Sequence, residues 1–231
     1  MTNQAIILSN SSVNNNCSTP LLEQNINGKT NLHYQLQFLS DNMIDKVIIV
    51  HTEDKDSYLK LFGEKFLDVK ITYILYNTDL KQSGNILAAL EFITDPNVFV
   101  FNSRNYFRLN LSKADNFRRM RESKILLIGK KEEGSNLVSE KLFLNEKGKI
   151  LKIFNHTDTD EKDTINTETY LINKKKFIEL FENKNDSVFE FIKNSHLSNP
   201  MFCLSCRQYF KTIKEEEDIQ KLANDLTENY F

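Results

Sequence analysis

Apolar residues fall into two rhythms along this chain. Residues 5–8 (AIIL), 46–51 (KVIIVH), 69–76 (VKITYILY) and 97–101 (NVFVF) are short runs rich in β-branched and aromatic side chains, the pattern of buried strands. Between them the spacing turns helical. Leu32, Leu36 and Leu39 mark a helix over 31–40, and Tyr58, Leu59 and Phe62 one over 54–62. Ile86, Leu87, Leu90 and Ile93 mark a third helix, with Ser83 as its N-cap. Strands that alternate with helices imply a parallel sheet joined by right-handed crossovers. The second half is mixed. It predicts a helix over 112–121, a strand over 124–130 and a hairpin of 141–144 with 150–154 around the turn-rich 145–148. A strand over 167–173, helices over 175–181 and 188–196, a strand over 201–209 and a helix over 215–229 follow. No repeat or long linker interrupts this order. The expectation is one domain, residues 1–231, with a three-layer Rossmann-like α/β fold and a mostly parallel central sheet.

Composition narrows the partners. The 231 residues carry 30 basic and 32 acidic side chains, a net charge of -2, without the basic face that nucleic acid requires. The short basic clusters, Arg118–Arg119 and Lys174–Lys176, read as solvated helix faces. Cys17, Cys203 and Cys206 form no even-numbered disulfide framework, which fits a reducing compartment. The start, MTNQAIIL, lacks the basic lead and long apolar run of a signal peptide. No stretch approaches the ~20 apolar residues of a membrane span. A cytoplasmic protein with no nucleic-acid or membrane partner is expected.

In open parallel sheets, ligands sit beyond the C-terminal ends of the strands. That directs attention to residues 9–22, 77–85, 102–107 and 155–168. Here the chain resembles the short sugar-1-phosphate nucleotidyltransferases, especially those handling heptose 1-phosphate. AIIL matches their first strand. Pro20-Leu21, Asn27-Gly28-Lys29 and Leu32-His33-Tyr34-Gln35-Leu36 resemble "KP…NGKPLLEYQL". Ile71–Tyr73, Leu80 and Ser83-Gly84 resemble "I.Y…PLGTGGA". NVFVFNS at 97–103 resembles "yFVLNGD", and Leu109 follows as in "vDL". Gly148, Ile150 and Ile153 resemble "GrI..F.EK". Asn166 with Tyr170-Leu171-Ile172 resembles "NAGIYlI", and Ser187–Glu190 resembles "fSfE". Phe210, Ile213 and Glu217-Asp218 resemble "F.DIGtPEDy". The order of these weak motifs runs nearly end to end.

The resemblance implies an attack by a sugar phosphate oxygen on a nucleotide α-phosphorus, with release of pyrophosphate. Catalysis there is mostly charge neutralisation and positioning. The residues for it are missing. The phosphate loop reads SNSSVNNNCST at 9–19, with Ser11 and Ser12 but no Gly, Lys or Arg. Thr19 stands where the "PKP" lysine is expected. The magnesium aspartate of "NGD" becomes Arg104 in Asn102-Ser103-Arg104, and that of "DIG" becomes Thr212, flanked by Lys211 and Lys214. The sugar-facing "EK" becomes Asn155-His156, whereas Asn166 and Gly84 survive. Magnesium wants carboxylate oxygens, and a cation repels it.

Other constellations have plain readings. Cys203 and Cys206, with His196 and Cys17, offer one ligand pair at strand spacing, which sends side chains three apart to opposite faces. A thioredoxin-like role lacks its helix start. Asp158-Thr159-Asp160 mimics a D-x-D motif but lies in a charge-rich loop.

The resulting expectation is a nucleotidyltransferase-like protein of nucleotide-sugar and surface-polysaccharide metabolism. It is catalytically degenerate and has a binding or regulatory role. No catalytic residue and no metal ligand is assigned. The candidate ligand-binding residues are Ser11, Ser12, Thr19, Gly84, Asn102, Arg104, His156, Asn166, Lys211 and Thr212. No cofactor is expected. The partners are a nucleotide or sugar phosphate, and an active homologue or a second copy. The alternative is an active enzyme making an NDP-sugar and pyrophosphate with Mg2+.

Overall fold

The structure, a computed structural model, describes residues 2–9, 21–51, 59–60, 62–131, 140–154, 164–182 and 186–227. Along them run β1 (Gln4–Ser9), β2 (Asn25–Ile26), β3 (Lys29–Thr30), α1 (Asn31–Asp41), β4 (Lys46–His51), β5 (Lys65–Phe66), β6 (Val69–Leu75), α2 (Gln82–Leu90), β7 (Asn97–Asn102) and β8 (Asn105–Phe107). Then come α3 (Leu111–Arg121), β9 (Ile125–Lys131), β10 (Lys141–Leu144), β11 (Ile150–Phe154), β12 (Thr164–Asn173), α4 (Lys174–Phe181), α5 (Val188–Ser195), β13 (Phe202–Cys206), β14 (Phe210–Thr212) and α6 (Glu216–Thr227).

One sheet carries the fold, in the order β11-β10-β12-β7-β1-β4-β6-β5, with β9 on the other edge of β12 and β13 beyond it. β1 pairs in parallel with β4 and β7, β4 with β6, and β9 with β13. β12 runs antiparallel between β7 and β9. The fold is therefore the expected three-layer α/β arrangement with a mixed, mostly parallel sheet. Its layers follow from strand alternation. Ile6, Leu8, Val98, Val100, Tyr170 and Ile172 face α2, α4 and α5 on one side. Ala5, Ile7, Phe99, Phe101 and Leu171 face α1 and α3 on the other. Each such fully buried Leu, Ile or Phe contributes about 1.5–3 kcal/mol. A small third cluster joins Ile26, Tyr106 and Ile213 to Ile219 and Leu222 of α6.

Three local departures have identifiable causes. Ser83 does not cap its helix. Lys81 holds the N-cap position, and Ser83, fully buried, clamps Asp186 instead: Ser83 N donates to Asp186 O, and Asp186 N donates to Ser83 Oγ. The strand expected over 201–209 is two strands. Lys130 Nζ donates to the carbonyls of Arg207 and Gln208, which holds the break between β13 and β14. β14 then pairs with β8, a segment expected to be loop. Arg118 is not a solvated charge: its side chain is 13% exposed and lies 3.6 Å from Asp115. Most of the helix expected over 54–62 and the end of the one over 215–229 lie outside the described residues.

Candidate functional site

β7 ends at Asn102, level with Leu8 of β1, so the residues that follow stand at the C-terminal edge of the parallel strands. Polar side chains fix this turn. Ser103 N donates to Leu8 O at 3.0 Å. Ser103 O accepts from Asn31 Nδ2 at 2.9 Å and from Gln35 Nε2 at 2.8 Å. Asn31 and Gln35 are one turn apart on α1 and both buried, so they grip the same carbonyl. Asn102 Oδ1 accepts from Arg104 N at 3.0 Å, which closes an Asx-type turn.

The first half of β12 lies at the same edge because that strand runs the other way. Its pairing with β9 shifts register between Asn166 and Thr169. Glu168 sits inside this irregularity with φ of +51°, in the left-handed region. Its N donates to Asn166 Oδ1 at 2.9 Å, and its Oε2 accepts from Asn102 Nδ2 at 2.9 Å. Asn105 Nδ2 donates to Thr167 O, and Asn105 Oδ1 accepts from Thr212 Oγ1 at 3.1 Å. Ile213 N donates to Arg104 O at 2.8 Å. Asn102, Arg104, Asn166 and Thr212 are thus tied into one cleft floor.

The other candidates separate. Lys211 alternates to the far side of β14, and its Nζ donates to Asp225 Oδ2 at 2.8 Å on α6. Burial alone would raise the Asp225 carboxyl; hydrogen bonds from Lys211 and Tyr209 outweigh it and leave the group below its ordinary value. Burial and that same Asp225 contact push the Tyr209 phenol up. Gly84, at the start of α2, leaves no room for a larger residue without a shift: a Cβ there would lie 3.0 Å from Leu80 Cβ. Ser11, Ser12, Thr19 and His156 lie outside the described residues, as do Cys17 and residues 158–160.

Two residues that order the loops at this edge escaped the sequence reading. Asn85, buried in α2, donates to the carbonyls of Asn77, Leu80 and Lys81 and accepts from Asn77 N, which fixes the loop after β6. Glu168 hid in the stretch TETY, where an exposed acid in a strand looks ordinary. Only the match of Asn166–Tyr170 to "NAGIY" signals that a glycine is expected there. The adjacent Tyr170 phenol is fully buried; burial, then the charges of Glu168 and Glu140, push it well above its ordinary value.

Among the described residues, the donors at the cleft floor are a poor match for a metal: amides, a hydroxyl, a guanidinium residue and a single carboxylate with one oxygen already bonded. Among the described residues, no group of three His, Cys, Asp or Glu side chains comes together. Cys203 and Cys206 pack into opposite faces of the sheet, with burial raising both thiols. A groove of about 560 Å³ between α1, β8 and the end of α6 contains none of the candidates.

No family model matches the chain. It is 25% identical over 199 residues to the D-glycero-α-D-manno-heptose 1-phosphate guanylyltransferase of Campylobacter jejuni, covering 84% of each chain. It superimposes on HddC from Yersinia pseudotuberculosis with a TM-score of 0.81 at 19% identity, over 97% of this chain and all of the other. The chain is related to the sugar-1-phosphate nucleotidyltransferases. The same nucleotidyltransferase fold appears in the inositol-1-phosphate CTP transferase of T. maritima, with a TM-score of 0.75 at 16% identity over 98% of this chain and 95% of that one. HddC was also crystallised with GMP-PN. No helix among the described residues of this nucleotidyltransferase relative is long and apolar enough to cross a membrane.

Proposed function

We propose that this nucleotidyltransferase-like chain binds a nucleotide or a sugar phosphate without magnesium and has lost the standard transfer reaction. The observation that carries the reading is Arg104, a cationic residue in the turn after β7, with its backbone held by Asn102 and Ile213, where the family pattern has a magnesium aspartate. Thr212, at the second aspartate position, is bonded to Asn105 and adds no charge. A guanidinium offers phosphate several donors in a fixed plane, so it substitutes for the ion in binding. It does not replace a divalent ion that orients both the attacking and the departing oxygens. The role that remains is binding or regulation in nucleotide-sugar and surface-polysaccharide metabolism, beside an active homologue or as a self-associated protein.

The active reading, a sugar-1-phosphate nucleotidyltransferase that makes an NDP-sugar and pyrophosphate, is favoured by kinship to the guanylyltransferase. Pyrophosphate release, measured with each of four nucleoside triphosphates and several sugar 1-phosphates in magnesium, separates the two. Our reading expects release at the level of the enzyme-free blank. Magnesium-dependent turnover with any pair, guanosine triphosphate first, would replace it with the active reading.

A further inference from the structure

Glu168 is an acid where the family pattern has glycine, and it keeps the glycine-type backbone. Its φ of +51° lies in the left-handed region, which a side chain disfavours relative to glycine. The carboxylate is exposed, yet it is not free to wander: Oε2 accepts from Asn102 Nδ2 at 2.9 Å. Asn102 is itself held in place, because its Oδ1 accepts from Arg104 N. One amide therefore stands between the residue that supplies the cation and the residue that supplies the anion. Among the described residues, Oε1 of Glu168 takes no hydrogen bond and its acceptor sites are open.

An open carboxylate oxygen in this place repels phosphate and accepts from O–H groups. We infer that Glu168 is a specificity-determining residue that receives the hydroxyls of a sugar phosphate, so that the ligand lies with its phosphate toward Arg104 and its sugar ring toward Glu168. This rests on the sugar-phosphate reading above. It also goes beyond it, because a cleft with glycine at this point has no such acceptor.

The test is calorimetric titration in EDTA with inorganic phosphate and with mannose, glucose and galactose 1-phosphates, on the wild-type chain, Glu168→Gln and Arg104→Gln. Glutamine keeps an oxygen for Asn102 but turns the open acceptor into a donor. A hydrogen bond to a charged group is worth about 1.5–3 kcal/mol, roughly 10–100-fold. E168Q is expected to weaken the tightest sugar 1-phosphate at least tenfold while phosphate binds equally or more tightly. Arg104→Gln is expected to weaken both. If E168Q folds poorly, Glu168→Gly, which suits the backbone, gives the same readout. An unchanged sugar 1-phosphate affinity, or equal loss for both ligands, overturns the role of Glu168 and leaves binding at Arg104 standing. A wild-type chain that binds none of these probes overturns both.

Discussion

The sheet and the cleft floor above it are built from the same strands but held by different forces. Below Asn102, β7 alternates Val98 and Val100 with Phe99 and Phe101, each packed against a helix layer. Above it, the chain makes a turn and a short strand in which amides span between elements: Asn31 and Gln35 to Ser103, Asn102 to Glu168, and Asn105 to Thr167 and Thr212. Apolar packing is non-directional and tolerant of volume-conserving swaps. An amide network fixes directions, because a hydrogen bond weakens steeply when donor and acceptor are misaligned. The sheet thus secures stability, and the network secures the relative placement of Arg104 and Glu168.

Substitutions in the two regions should separate these roles. The largest effect belongs below. Phe177→Ala, which empties a fully buried position stacked on Phe181 at 4.5 Å, is expected to cost about 3–5 kcal/mol in urea unfolding without changing ligand preference. Next comes the network. Asn31→Leu removes one donor from the buried Ser103 carbonyl and leaves Gln35 as the other, so a loss of about 1–3 kcal/mol is expected. Unlike Phe177→Ala, it should alter phosphate affinity in the same preparation. A loss from Asn31→Leu as large as that from Phe177→Ala, with unchanged affinity, would break the comparison.

Glu168 offers a finer test. Glu168→Ala loses the Asn102 bond but keeps the left-handed backbone, whereas Glu168→Gly loses the bond and suits the backbone. The glycine variant is expected to melt later than the alanine variant, by about 1 kcal/mol at the midpoint. The smallest effect lies outside the cleft. The Asp225 carboxyl titrates below its ordinary 3.8 in the folded chain, so it binds its proton less readily there than when unfolded. Its contribution is complete above the ordinary value and is lost as pH falls through the lowered one. Lys211→Met should therefore reduce stability at neutral pH by less than about 1 kcal/mol, given partial exposure of the pair, and the difference should vanish in strong acid.

Much of the lower region was legible because its signals are local. Period-two alternation in β7 and helical spacing in α1 point to one fold, and the hairpin of β10 and β11 forms where its turn residues place it. The cleft was legible only where a motif reached it. The order of motifs in the chain nominates Asn102, Arg104 and Asn166, and hydrogen bonds through Glu168 and Asn102 link the three. Lys211 and Thr212 are adjacent in sequence, yet strand alternation sends one to α6 and the other to Asn105. That outcome depends on β8 pairing with β14, residues about a hundred apart in the chain, which no local pattern announces. Asn31 and Gln35 read as part of a helix face. Their grip on Ser103 appears only when α1 packs beneath the turn.

Titration of guanosine triphosphate into the wild-type chain and Arg104→Gln, in EDTA and then in magnesium, tests the central claim most directly. Binding in EDTA that magnesium does not strengthen, and that falls at least tenfold in R104Q, is the predicted result. Binding that requires magnesium, or that survives loss of the guanidinium, would contradict the claim that Arg104 has taken the place of the ion.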